Sequence, residues 1–148
     1  MVDRSCLGYR GEPFSAAVEK GRLKLFAKAT GQTDPIYFDE IAARAAGYPS
    51  LPVPPTFLFC LEMECPDPYR WFADLDIPLA RALHGEQEFQ YFHMAYAGDT
   101  LRFESEVIDY FEKKGGALLF VVQRVRVHNQ LGQHVADFNR TLVVRNES

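Results

Sequence analysis

The spacing of apolar residues changes near residue 84, and the chain before that point has helical periodicity. The segment 13–30 carries apolar residues near helical spacing and is followed by Gly31, which predicts a helix. The segment IAARAA follows two acidic residues at 39–40, and this combination predicts a second, short helix. After the proline-rich segment YPSLPVPP, the run TFLFCLEMEC is apolar on nearly every side and predicts a buried helix.

From Glu86 onward the apolar period is two, which indicates strands. The predicted strands are EFQYFHMAY, LRFESEVIDYF, ALLFVVQRVRVH and HVADFNRTLVVR, and the segments AGDT, EKKGG and NQLGQ between them are predicted turns. Strands in meander order behind one buried helix predict an α+β domain, with an antiparallel sheet wrapped on a single helix. The open edges of such a sheet favour edge-to-edge association into a dimer.

Composition and charge exclude several classes of function. The length of 148 residues predicts one domain over 1–148, and 47% hydrophobic and 24% charged residues are ordinary for a globular protein. A net charge of −4 with scattered basic residues argues against nucleic-acid binding. No apolar run reaches the roughly 20 residues that span a bilayer, and the N-terminal segment lacks the apolar core of a signal peptide. We therefore expect a cytoplasmic protein with no membrane partner.

The cysteines and histidines give no sign of a metal centre. Cys6, Cys60 and Cys65 contain no close CxxC pair, so we expect buried or incidental thiols. The four histidines are not at zinc-ligand spacing from these cysteines. We expect neither a metal nor another cofactor.

Three segments carry a resemblance to a known family. In order and spacing, GQTDPIYFDEIAARAAGY, LPVPPTFLFCLEME and LHGEQEFQYFHMAYAGDTL closely resemble the N-terminal type of MaoC-like dehydratase domain, a relative of R-specific enoyl-CoA hydratases and 3-hydroxyacyl-thioester dehydratases. The resemblance runs from about Pro13 to Arg145. It implies a hot-dog fold, in which the sheet wraps one long buried helix near residues 55–65. It also implies that thioesters of coenzyme A or acyl carrier protein bind at a dimer interface.

The residues that carry catalysis in such enzymes are replaced here. Catalytic members of the superfamily hold a water between the Asp and His of a D-x-N-P-x-H segment. In this sequence the Asp position falls on Gln32, the Asn position on Asp34, the Pro position on Pro35 and the His position on Tyr37. Gln32 does not titrate, and a tyrosine has a reference pKa near 10. Losing one positioned acid–base group typically costs on the order of 10²–10⁴ in rate, so the segment keeps the frame of a hydratase site without its proton-handling pair.

Other residues are candidates for the missing chemistry. His84 and Glu86 lie one residue apart and are expected to project the same way, as an acid–base pair or as an edge-strand ion pair at a dimer contact. Asp34 is either a base or an N-cap or turn residue. Cys60 either faces an acyl channel or packs in the core, and His93 is expected to be a satisfied core or interface histidine.

The start of the predicted buried helix is a candidate binding site for the thioester oxygen. In catalytic relatives, backbone N–H groups near this point face that oxygen. Pro54 and Pro55 have no N–H, so the first available amides are those of Thr56 and Phe57, although prolines here also suit the first turn of a helix. The candidate substrate-binding residues are Gln32, Pro55, Thr56, Phe57 and Cys60.

Three functions are compatible with these residues. The first is the acyl-binding subunit of a hydratase or dehydratase for 3-hydroxyacyl or enoyl thioesters, in a homodimer or paired with a dyad-bearing hot-dog subunit. The second is an acyl-CoA thioesterase that uses a carboxylate, with Glu62, Glu64 and Asp39 as candidates. A helical wheel places Glu62 and Glu64 about 200° apart, so at most one faces inward. The third is a non-catalytic acyl-binding or scaffold homodimer.

Overall fold

The computed structural model describes residues 1–146 and contains one five-stranded antiparallel sheet with short helices. The strand order is β1-β3-β4-β5-β2. The strands are β1 (Phe14–Ala17), β2 (Ala82–Tyr91), β3 (Thr100–Lys113), β4 (Leu118–Asn129) and β5 (His134–Arg145). The helices are α1 (Lys20–Ala29), α2 (Glu40–Ala45), α3 (Phe57–Glu62) and α4 (Arg70–Asp74), with 3₁₀ turns at Arg4–Cys6, Pro35–Tyr37 and Leu79–Arg81. The predicted α+β class is confirmed.

The first predicted helix is divided into a strand and a helix. Its opening residues form β1, which pairs with β3 from Phe14 opposite Phe103 to Ala17 opposite Thr100. Burial alternates along β1, but four residues are too few for that period to stand out from the helical pattern behind it. The remaining part forms α1, which is followed by Gly31 at φ +74.

The sheet is not a simple meander. The β3–β4 and β4–β5 hairpins are confirmed, whereas β2 pairs with β5 at one edge of the sheet and does not pair with β3. The chain after β2 crosses to the proline-rich segment instead of turning back. There the Val53 N–H donates to Ala95 O and the Ala97 N–H donates to Leu51 O, each at 2.9 Å. The AGDT segment therefore leads into β3 without closing a hairpin.

The buried helix exists but is shorter than expected. α3 has six residues, and Phe57, Leu58 and Leu61 are each only 1% exposed. Full burial of each such side chain contributes roughly 1.5–3 kcal/mol. The helix ends at Glu62, and Pro66 disfavours helical backbone at Cys65, so the helix cannot continue through that residue.

The second helix forms where the sequence predicts it. The Asp39 carboxylate accepts a hydrogen bond from the Ile41 N–H at 2.9 Å and so caps the N-terminus of α2. Gly47, at φ +90, follows the helix in the left-handed conformation that glycine adopts without steric cost. Among the described residues, no helix is long and apolar enough to cross a membrane.

Candidate functional site

An apolar cavity of about 320 Å³ lies beside the N-terminal end of α3. Residues of the Pro35–Tyr37 turn, the proline-rich segment, α3, the end of β2 and β5 meet there. The lining residues are Tyr37, Val53, Pro55, Leu58, Tyr91, Phe92, His93, Met94, Ala95 and Val135. Most of them are apolar, so the cavity suits a hydrocarbon group with a few polar contacts at its wall.

Tyr37 occupies the position of the histidine in the D-x-N-P-x-H segment, and it borders this cavity. The Asp34 carboxylate accepts from the Ile36 N–H at 3.1 Å and caps the 3₁₀ turn that carries Tyr37. This contact supports the N-cap interpretation of Asp34. Burial raises the pKa of Tyr37, and the nearby Asp34 carboxylate raises that pKa further. Tyr37 therefore keeps its proton at neutral pH and can donate a hydrogen bond, but it is a poor base.

Gln32, at the position of the catalytic aspartate, does not line the cavity. Its backbone N–H donates to Ala27 O at 2.9 Å, which fixes the residue at the end of α1. Only one of the two dyad positions therefore borders the apolar space.

The two amides expected to face a thioester oxygen already have acceptors. The Thr56 N–H donates to Tyr91 Oη at 2.9 Å, and the Phe57 N–H donates to Pro54 O at 3.2 Å. Within this chain, the expectation of two available donors is wrong. A bound thioester oxygen would have to displace the Tyr91 hydroxyl to reach the Thr56 amide.

The other candidate substrate-binding residues differ in placement. Pro55 lines the apolar cavity, whereas Phe57 is buried in the core and Cys60 packs at the edge of that core. The position of Cys60 supports the packing interpretation of this thiol.

The side chains of His84 and Glu86 do not form an acid–base pair, and the expected common direction of these side chains is wrong. His84 Nε2 lies 3.2 Å from the backbone O of Glu86, not from its carboxylate. The β2–β5 register shifts between them, so His84 lies opposite Leu142 while Glu86 lies opposite Thr141. Adjacent residues of β5 point to opposite faces, and the two candidates therefore do as well. The His84 ring lies 5.5 Å from the Phe59 ring on the inner side. Glu86 shares the outer face with Phe111 and Lys113.

His93 lines the apolar cavity, which the sequence pattern did not indicate. Its ring Nδ1 lies 2.9 Å from His134 O, and because a carbonyl only accepts, Nδ1 carries the proton. Nε2 is then the acceptor when the ring is neutral. The side chain is exposed in the single chain, as expected for an interface histidine rather than a core one.

The chain that leaves β2 exposes large apolar side chains next to the cavity. Tyr91, Phe92 and Met94 are 50%, 44% and 48% exposed. We call Tyr91–Met94 the exposed apolar segment. Alternation predicted a strand here and so missed it, since β2 ends at Tyr91.

The carboxylates considered for thioester hydrolysis lie elsewhere. Glu62 is buried, and its Oε1 accepts from Arg140 Nη2 at 2.6 Å, while Glu64 is exposed and pairs with Arg22. This confirms that only one of the two faces inward. Burial raises the pKa of Glu62, although Arg140 opposes the rise. Asp39 is the cap of α2 and does not line the apolar cavity.

No metal centre forms within residues 1–146. No group of three or more His, Cys, Asp or Glu side chains there could hold a metal ion. Cys6 is buried, and Cys60 and Cys65 are partly buried free thiols.

Comparison with protein families gives a match over most of the chain. Residues 5–138 match the model described as FAS1-like, dehydratase domain region. A UPF0336 protein of Streptomyces coelicolor is 34% identical over 146 residues, which cover 97% of this chain and 95% of the relative.

Two solved structures of dehydratases have a similar fold. A chain of the HadBC (3R-hydroxyacyl-ACP dehydratase) complex from Mycobacterium tuberculosis is 26% identical at a TM-score of 0.82, covering 93% of this chain and 96% of that one. A MaoC-like dehydratase from Rhodospirillum rubrum is 23% identical at a TM-score of 0.71, covering 96% and 94%. The second likeness carries the fold alone.

Proposed function

This chain belongs to the FAS1-like dehydratase domain region family and has the hot-dog fold of the MaoC-like dehydratases, and from that premise we propose that it is the acyl-binding subunit of a heteromeric hydratase or dehydratase. Its substrates would be 3-hydroxyacyl or enoyl thioesters of coenzyme A or acyl carrier protein. The observation that carries the proposal is the retained frame of the site, in which Gln32 and Tyr37 replace the acid–base pair and Tyr37 borders an apolar cavity.

The cavity supports the acyl-binding part of the proposal. Its volume of about 320 Å³ is at the lower end of the range of small-molecule sites, and its wall is mainly apolar. Tyr37 places one neutral hydroxyl at this wall, which can donate to a substrate oxygen. Burial of the apolar acyl chain would supply most of the binding free energy, at roughly 25 cal/mol per Å².

The missing proton-transfer groups support the heteromeric part. Hydration of an enoyl thioester needs one group that removes a proton from water and one that protonates the α carbon. Gln32 cannot titrate, and the raised pKa of Tyr37 keeps the phenol protonated. A second hot-dog subunit would supply the Asp/His pair.

The exposed apolar segment is the surface on which we place that subunit. Its side chains border the apolar cavity, so a subunit docked there would close the cavity from outside. HadBC, the complex that contains a similar chain, is itself a 3R-hydroxyacyl-ACP dehydratase.

The two alternatives have less support. For a thioesterase, Glu62 is the most buried of the three candidate carboxylates, but it borders the cavity at the other end of α3 and not the one that Tyr37 borders. A non-catalytic acyl-binding homodimer would use the same apolar cavity and the same exposed segment. It differs from the first proposal in pairing with a second copy of the chain and in lacking activity with a dyad-bearing partner.

A hydration assay on crotonyl-CoA separates these functions. We expect no loss of enoyl absorbance with the chain alone, and a rate above that of the partner alone when a dyad-bearing hot-dog subunit from the same source is added. Turnover by the isolated chain would contradict the subunit role. Ligand binding without activity in the mixture would favour the homodimer, and release of free coenzyme A that Glu62→Gln abolishes would favour the thioesterase.

A further inference from the structure

A second cavity, of about 330 Å³, lies at the C-terminal end of α3, away from the apolar cavity. We call it the polar cavity. Its wall includes aromatic rings and a group of polar side chains from the inner face of the sheet and from α3. The wall includes Tyr9, Glu62, Trp71, Gln123 and Arg140.

The polar side chains of this wall form one fixed network. Arg140 donates through Nη2 to Glu62 Oε1 at 2.6 Å and through Nε to Gln123 Oε1 at 2.7 Å. The side chains of Arg140 and Glu62 are only 12% and 10% exposed. The Arg140 guanidinium also lies 5.5 Å from the centre of the Trp71 ring, and this cation–π contact further fixes its position.

The network leaves hydrogen-bonding capacity unused. Among the described residues, Glu62 Oε2 and both amide atoms of the Gln87 side chain are buried without a hydrogen-bond partner. Gln87 lies directly opposite Arg140 in the β2–β5 register but does not line the polar cavity, so within that cavity the unsatisfied atom is Glu62 Oε2. The bonds to Gln123 and Glu62 engage Nε and Nη2, which leaves Nη1 for a ligand. Buried polar atoms in native proteins nearly always have a partner, and a ligand in the polar cavity can supply one to the Glu62 carboxylate and to Arg140 Nη1.

The charges at the wall restrict the chemistry of that partner. At the buried end of the cavity, where water screens poorly, a carboxylate ligand would be repelled by Glu62 and an ammonium ligand by Arg140. The other charged side chains of the wall are exposed at the mouth of the cavity and are screened by water: Arg10, Glu12, Asp67, Arg70 and Asp74. A neutral group with both a donor and an acceptor fits, since its N–H can donate to the carboxylate and its oxygen can accept from the guanidinium. The last torsion of a glutamate side chain is broad, so either carboxylate oxygen can be turned toward the cavity.

We propose that the polar cavity is a binding site for a small uncharged carboxamide with an apolar or aromatic body, recognised by Glu62 and Arg140 and packed against Trp71. This site goes beyond the proposed dehydratase role and does not rest on it, because it uses other residues and another cavity. The aromatic rings of Tyr9 and Trp71 give the body of the ligand an apolar contact.

The chain contains a single tryptophan, Trp71, which lines this cavity and also a neighbouring hollow that shares Arg140 with it. The probes are phenylacetamide, phenylacetate and phenethylamine, which share a phenyl body and differ in charge. The full chain is titrated in buffer at about pH 8, above the ordinary pKa of a glutamate, while Trp71 fluorescence and its indole N–H resonance are followed. We expect saturable binding of phenylacetamide with a Kd of about 1 mM and at least tenfold weaker binding of the two charged probes.

Glu62→Gln tests the assignment of the recognising group. The substituted amide still offers an oxygen to Arg140 but presents an NH₂ donor where the carboxylate accepted, and the cavity gains net positive charge. We expect phenylacetamide to lose at least tenfold in affinity and phenylacetate to become the preferred probe. Glu64→Gln, an exposed change two residues along the same segment, is the matched control and should leave the order of the probes unchanged.

Absence of any Trp71 response to phenylacetamide, equal binding of the three probes, or an unchanged order in Glu62→Gln would each overturn the proposal. Should Glu62→Gln fail to fold, the comparison of the three probes on the unsubstituted chain decides alone. Crotonyl-CoA hydration by the complex is expected to be insensitive to phenylacetamide, which keeps this test separate from the proposed dehydratase role.

Discussion

At the scale of single residues, contacts within the chain make two groups of the site unavailable for catalysis: the Tyr37 hydroxyl as a base and the Thr56 N–H as a donor to substrate. Tyr37 borders the apolar cavity, but burial and the Asp34 carboxylate raise its pKa and remove it as a base. Thr56 adopts a φ of 69°, a left-handed backbone conformation that residues other than glycine rarely adopt. Its N–H donates a hydrogen bond to the Tyr91 hydroxyl. The sequence identified both positions as part of the site, whereas the burial of Tyr37 and the hydrogen bond of Thr56 depend on residues distant in the chain.

The buried Glu62 should make stability depend on pH in a predictable direction. Burial raises its pKa above the ordinary value of 4.5, so over a range above pH 4.5 the folded chain binds a proton that the unfolded chain has released. The free energy of unfolding therefore falls as pH rises through that range, by at most about 1.4 kcal/mol per pH unit.

Urea unfolding of the unsubstituted chain and of Glu62→Gln across this range provides the measurement. The stability difference between the two should shift in favour of Glu62→Gln as pH rises, while Glu64→Gln should run parallel to the unsubstituted chain. Parallel curves for the unsubstituted chain and Glu62→Gln would show that Glu62 titrates normally.

At the scale of elements, the bulge in β2 decides what the edge strand presents to each face. The register shift at Gly85 puts His84 on the inner face and Glu86 on the outer face. Strict alternation would have placed both on one face, and no local signal beyond a glycine in a strand marks the interruption. The predicted acid–base pair was lost at this single position.

Gly85→Ala should destabilise the fold. An added Cβ would lie 2.8 Å from Val143 Cγ2 and 3.2 Å from Thr141 O, and the second neighbour is backbone that cannot move aside. We expect a loss of about 1–3 kcal/mol, measured by chemical denaturation. Gly21→Ala in α1, where nothing lies within 4 Å of the added Cβ, should instead gain up to about 1 kcal/mol. Equal effects at the two glycines would contradict the close approach at the bulge.

At the scale of the whole molecule, the two cavities and the exposed apolar segment divide the surface into separate regions. The apolar cavity lies beside the N-terminal end of α3 and the polar cavity at its C-terminal end, with Phe57, Leu58 and Leu61 packed in the core between them. The exposed apolar segment borders only the first. A partner that docks there would change access to the apolar cavity and leave the polar cavity open.

Phe92→Asp should prevent association with a dyad-bearing subunit without unfolding the chain, because Phe92 is 44% exposed and the change places a charge in the centre of the proposed interface. We expect at least a tenfold loss of affinity, measured by analytical ultracentrifugation of the mixture. Leu131→Asp, at a position that is 75% exposed in the β4–β5 turn, is the control and should associate normally. Normal assembly of Phe92→Asp would move the interface away from this segment.

The sequence by itself determined the features that are encoded within short windows. The change of apolar period near residue 84 placed the helical part of the chain before strands β2–β5, although it missed β1, and the acidic residues at 39–40 indicated the start of α2. The family resemblance and the absence of the dyad followed from the residues at 32 and 37. These features rest on side-chain spacing and on hydrogen bonds between near neighbours, so a few adjacent residues suffice to specify them.

Tertiary structure alone decided which distant residues meet. It placed β2 beside β5, paired Glu62 with Arg140 across 78 residues, and bonded Thr56 to Tyr91 across 35. Such contacts require the chain to close long loops, and their free energy depends on packing that forms only when the sheet and α3 are together. The polar cavity is therefore a property of the folded chain, and so are the Thr56 hydrogen bond and the raised Tyr37 pKa at the apolar cavity. The residues that form both cavities are all present in the sequence.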